Sequence, residues 1–147
     1  MVDRRETAGP FGVQLSSDRG RRPVYAVGDS ASLVVQTTRD GYLYCFHKSS
    51  DRAGGAVTKI FPNDFHRDAR VEGLASVHIP GRDMNFAFLV EGPAGVEYVR
   101  CFVLDRDAGG TLPADMYSLD DVSRVFRRLP AAQMSEATMV MTIEPQR

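Results

Sequence analysis

The run "GYLYCFHKSS", beginning at Gly41, constrains the fold more than any other stretch of the chain. Along an extended strand, successive side chains point to opposite faces. Tyr42, Tyr44 and Phe46 then share one face, and Leu43, Cys45 and His47 share the other. Neither face carries a charge, so both need cover, as in the central strand of a layered β structure. Asp40 and Gly41 form a tight-turn pair between two strand-like runs. The same run holds a thiol two residues from an imidazole, and on a strand these would lie on one face. A reactive thiolate needs an exposed, electropositive setting. Leu43, Tyr44 and Phe46 supply the opposite, so Cys45 and His47 are expected to fill the core.

Further runs of this kind follow along the chain. Strands are expected over residues 11–16, 31–38, 56–63, 74–81, 85–92, 96–105 and 137–145, separated by turns rich in Gly, Pro, Asp and Asn. Leu33 and Val35 alternate with Val34 and Gln36. Val99, Cys101 and Val103 alternate with Tyr98, Arg100, Phe102 and Leu104. One helix stands out in "SLDDVSRVFRRL". Ser118 is its cap, Asp120 and Asp121 lie in its first turn, and Arg127 and Arg128 in its last. Leu119, Val122, Val125, Phe126 and Leu129 make one apolar stripe, and Pro130 stops it. About eight strands and one late helix predict a mainly β fold. The expected architecture is an antiparallel two-sheet sandwich, immunoglobulin-like or a related Greek key. The helix is expected across an open end or edge, where it would shield unpaired backbone.

A chain of 147 residues suits a single domain with its own core. Residues 1–10 are expected to be a flexible segment and residues 11–147 the sandwich domain. A net charge of −1 provides no general attraction for nucleic acid or an anionic membrane. No apolar run reaches the length of a membrane span. The start of the chain lacks the apolar stretch of a secretory signal. It therefore reads as cytoplasmic, or as periplasmic if the domain is trimmed from a longer chain. Cys45 and Cys101 are expected as two small buried thiols. The other reading is one disulfide across packed strands, which would stabilise by about 4 kcal/mol.

The inventory of catalytic motifs is empty. His47, His66 and His78 show no close pair of the kind zinc sites use. "DRDAGG", from Asp105 to Gly110, has two carboxylates spaced as in a calcium loop, but Gly109 stands where a third ligand belongs. It reads as a solvated turn. There is no nucleophile elbow, phosphate loop or dinucleotide fingerprint. No cofactor and no metal are expected, and the chain is read as a non-enzyme.

What remains is surface. "FPNDFHRD" places two aromatics in a polar connection, and loops on a rigid sandwich are where such domains bind. Phe65, His66 and Arg67 are the candidate contacts, unless Phe61 and Phe65 fold inward to pin the loop. Arg124, Arg127 and Arg128 on the helix are the second candidate, unless they form a solvated face beside the aspartates.

The ordered set "YAVGDS", "GYLYCF", "KIFPN", "HIPG" and "FAFLVEGPAGVEYV" resembles a bacterial family of unknown function. Its pattern runs Tyr-x-x-Gly-Asp, Gly-Tyr-Leu-Tyr, Phe-Pro-Asn, Ile-Pro and Gly-x-Glu. Here these are Tyr25, Gly28 and Asp29; Gly41 to Tyr44; Phe61, Pro62 and Asn63; Ile79 and Pro80; and Gly95 and Glu97. The resemblance covers roughly Tyr25 to Asp105. It implies an accessory domain of the kind appended to caspase-like peptidases, serine/threonine kinases and envelope lipoproteins. It carries no catalytic residues across. Cys45 and Cys101 depart from expected aliphatic positions, and "DRAGG" lengthens the usual turn. The function expected is therefore a non-catalytic module in a bacterial signalling, peptidase or secretion system. It would bind a protein partner or position an attached effector. The alternative is a small-ligand or envelope-glycan binding domain that uses Tyr or Phe at a loop end.

Overall fold

A computed structural model describes residues 11–49, 57–111, 118–128 and 133–146. The flexible segment expected over 1–10, the "DRAGG" insertion, Leu129 and Pro130 lie outside the described residues. The fold is mainly β, a sandwich with one α-helix among the described residues. In chain order the elements are β1 (Val13–Ser17), β2 (Val24–Ala26), β3 (Ser30–Ala31), β4 (Leu33–Thr37), β5 (Gly41–Lys48) and β6 (Thr58–Phe61). There follow β7 (Arg70–Val71), β8 (Ser76–Ile79), β9 (Phe88–Leu89), β10 (Gly95–Leu104), α1 (Leu119–Arg127) and β11 (Met134–Glu144). The tally exceeds the expected one because β2, β3 and β7, only two or three residues long, were not anticipated.

The larger sheet runs β2-β11-β10-β5-β6, with β7 also pairing β5; the smaller runs β1-β4-β8; β3 and β9 form a separate ribbon. Every pairing is antiparallel except β2 with β11, which is parallel. The expected strand over 85–92 shortens to β9. Asp40-Gly41 does not close a hairpin. β4 and β5 belong to different sheets, so the chain turns a corner there from one layer to the other. Gly41 is required at that corner: a Cβ on it would lie 2.7 Å from the Leu104 carbonyl oxygen. The Asp40 carboxylate accepts from the Gly73 N–H at 2.8 Å and fixes the neighbouring loop.

The inner core lies between the sheets. Leu15, Leu33, Val35 and Ile79 from the smaller sheet meet Leu43, Phe61, Val99, Met139 and Met141 from the larger, all buried. A second core lies on the outer side of the larger sheet, where Tyr44, Phe46, Phe102 and Leu104 meet Leu119, Val122 and Phe126 of α1. The expected position of the helix is thereby corrected. It covers a sheet face, not an end or edge, because β5 and β10 are apolar on both sides and two layers cannot bury both. The Phe126 ring sits 4.8 Å from that of Phe102 and 5.4 Å from that of Tyr44. Ser118 caps α1 as expected, its hydroxyl accepting from the Asp121 N–H at 3.0 Å.

Cys45 and Cys101 face each other directly across β5 and β10 and are joined in a disulfide, with both side chains fully buried. The expectation of two free thiols is thus overturned. The cysteines are 56 positions apart in sequence, and only the pairing of β5 with β10 brings them into register.

Candidate functional site

The segment following β6 is built around Asn63. Its side-chain oxygen accepts from the Phe65 and His66 N–H groups, both at 3.0 Å. Its amide nitrogen donates to the Ile60 carbonyl at 2.9 Å. The local sequence thus forms an Asx turn, which explains why Asn follows Phe-Pro here. Phe61 and Pro62 are buried, while Phe65 is 49% exposed and stacks on Phe86 with ring centroids 5.9 Å apart. Phe61 therefore pins the loop, and Phe65 does not. The His66 ring lies 5.2 Å from Phe61, and its Nδ1 meets the Asp83 carboxylate at 2.5 Å. That hydrogen bond is the main reason the Asp83 carboxyl lies below its ordinary value of 3.8.

His66 and Asp83 line a groove of about 890 Å³, with the buried Phe61, Val71 and Met84 behind it. Along one side runs β8, represented by Ser76, Val77 and His78. β8 is the last strand of the smaller sheet and pairs only with β4 among the described residues, so its other edge has no strand partner. A free edge of this kind presents a row of backbone donors and acceptors. Arg67 lines a separate, smaller hollow with Lys59 and Asp64. Of the three candidate loop contacts, only His66 borders the groove.

The arginines of α1 are not brought together with this loop. They lie on the outer side of the larger sheet, and two of them meet carboxylates: Arg124 with Asp121, and Arg127 with Glu136 at 2.8 Å. Arg128 is exposed at the end of α1, where its backbone N–H closes the last turn on Arg124. On that outer side Val24, Val96, Tyr98 and Val140, on neighbouring strands, are exposed.

The residues first suspected of chemistry are committed elsewhere. Cys45 carries no thiol, and His47 Nε2 meets the Glu97 carboxylate at 2.7 Å. Glu97 is only 2% exposed, and the His47 ring stands edge-on to Phe88. The calcium-like loop is a turn in which the Asp107 carboxylate accepts from the Tyr44 hydroxyl at 2.6 Å and the Gly109 N–H at 3.0 Å. The Tyr44 oxygen in turn accepts from the Ala108 N–H at 2.8 Å. Burial and then the bond to Asp107 push the Tyr44 hydroxyl well above its ordinary value. The same bond holds Asp107 below its own. Among the described residues no three His, Cys, Asp or Glu side chains gather as a metal site, and no helix is long and apolar enough to cross a membrane.

The motif positions have structural duties. Gly28 has φ of 100°, which favours glycine, and the Asp29 carboxylate accepts from the Ala26 N–H at 2.8 Å to close the turn between β2 and β3. Gly95 opens β10, and Glu97 is the partner of His47. Comparison with curated proteins and with solved structures returns no match. A family model does match, over residues 24–107, more than half of the chain and nearly the span of those motifs. The chain belongs to the family described as Domain of unknown function (DUF4384).

Proposed function

We propose that this domain is a non-catalytic interaction module whose groove along β8 receives an extended segment of a partner protein. One observation carries the reading: an edge strand whose outer side has no strand partner among the described residues borders a groove of about 890 Å³. A segment laid there gains main-chain hydrogen bonds from the edge, and the partly exposed Val77 and Pro80 offer apolar surface to alternate side chains. In a longer protein such a module positions an attached effector, in a bacterial signalling, peptidase or secretion system, as its likeness to accessory domains suggests. The proposal favours the groove over the helix arginines, because Arg124 and Arg127 already have carboxylate partners.

The test is selection of a phage-displayed library of random heptapeptides on the folded domain. Selected peptides should compete with one another and lose binding to Val77→Lys and to Ser76→Glu, while Arg127→Ala retains it. Peptides that bind both groove variants as well as the parent would overturn the reading. Phe65, exposed and stacked on Phe86, supports a second reading as a glycan or small-ligand site. That reading requires a thermal shift with an oligosaccharide panel that Phe65→Ala abolishes.

A further inference from the structure

We infer that the groove reads the direction of the segment it holds, through two opposite charges at the two ends of β8. The inference rests on the interaction reading above and specifies its partner: an extended peptide with an acidic residue near its N-terminal end and a basic one near its C-terminal end.

Four charged side chains around the groove fall into two kinds. Arg70 is paired with Asp40 at 3.3 Å, and Asp83 with His66 at 2.5 Å. Glu72 and Arg82 also line the groove and are exposed, yet among the described residues neither has an ion-pair partner. They sit at opposite ends of the edge strand. Glu72 lies in the turn that enters β8, where its carbonyl accepts from the Ala75 N–H at 3.3 Å. Arg82 lies in the turn that leaves β8, between Gly81 and Met84, which are hydrogen-bonded backbone to backbone at 3.0 Å. The four residues of β8 between these turns span about 13 Å.

Added strands are mostly antiparallel to their neighbour. An antiparallel segment begins beside Arg82 and ends beside Glu72. Charge complementarity then asks for an acid at its start and a base at its finish. A segment of the same composition with its charges exchanged meets like charge at both ends, and like charges across an interface select against the wrong partner.

Two acetylated and amidated heptapeptides test this. Each has five alternating Thr and Val residues; one carries Asp first and Lys last, and the other carries Lys first and Asp last. Composition and net charge are identical, so only order differs. Measured by calorimetry at low salt, the parent domain should prefer the Asp-first peptide by on the order of tenfold, as two exposed charge pairs allow. The preference should shrink at high salt. The double variant E72K/R82E should invert it. Equal affinity for both peptides, with binding still lost in Val77→Lys, overturns the directional claim and leaves the groove reading standing. A preference that E72K/R82E leaves unchanged also overturns it. Binding of neither peptide overturns both.

Discussion

The disulfide offers the sharpest quantitative test of the fold. Cys45 and Cys101 sit opposite each other on β5 and β10, 56 residues apart in sequence and fully buried. Closing a loop of that length removes conformational entropy from the unfolded chain worth about 4 kcal/mol. Replacing both cysteines by alanine should therefore lower the unfolding free energy by about that amount, with the lost sulfur contacts adding to it. In a domain of this size the melting temperature should fall by roughly 10 to 15 °C. The assay is denaturant unfolding of parent and variant, repeated with reductant. Reductant should destabilise the unfolded-then-refolded parent and leave the variant unmoved. Buried sulfurs should also be reduced only when the domain opens, so the native parent should resist reductant that acts at once in guanidinium. Two titratable thiols in the unfolded, unreduced parent would refute the reasoning outright.

Three further outcomes follow from the cores and the buried polar groups. Phe126→Ala should cost about 3–5 kcal/mol, because it removes the ring that packs on Tyr44, Phe46 and Phe102; unfolding monitored by circular dichroism checks it. His47→Ala should cost about 3–5 kcal/mol by leaving the Glu97 carboxylate buried without its partner. Replacing His47 and Glu97 together by leucine should cost less than that single change, and a double-mutant cycle reads the difference. Tyr44→Phe should cost about 1–3 kcal/mol, since the Ala108 N–H loses the Tyr44 oxygen as acceptor and Asp107 loses one of its two donors. The raised Tyr44 contributes fully below the ordinary tyrosine value of 10.0 and less as pH rises beyond it. The lowered Asp107 contributes above the ordinary value of 3.8 and less as pH falls through it. The gap between parent and variant should thus narrow at both extremes of a pH series of melting curves.

Much of this architecture was legible in the sequence, for reasons that particular residues make plain. Period-two alternation placed Leu43 and Cys45 opposite Tyr44 and Phe46, and each set indeed faces a different core. The Ser118 cap and the apolar stripe marked the helix, since both are local. What alternation could not supply was the partner of each face. Which strands lie side by side is non-local, so neither the register that joins Cys45 to Cys101 nor the corner at Gly41 was readable. The helix was expected at an edge, although two apolar faces on one strand already called for a third layer. His47 and Glu97 are 50 residues apart, which hid their contact. A signal was present: Glu97 falls in phase with Val99 and Cys101, and a carboxylate on an inward face needs a partner.

The groove was less legible. The loop carrying Phe65, His66 and Arg67 was singled out, but only His66 borders the groove, and β8 was read as one strand among several. Edge status depends on strand order. "SVHI" shows alternation whether it lies in the middle of a sheet or at its margin.

The most direct test of the proposed binding surface is amide NMR of the ¹⁵N-labelled domain titrated with a library-selected peptide. The largest shifts should fall on Ser76, Val77, His78 and Ile79 and on the neighbouring Val71 and Met84, with α1 unmoved. Shifts concentrated on α1, or on the exposed face of Val24, Tyr98 and Val140, would contradict it.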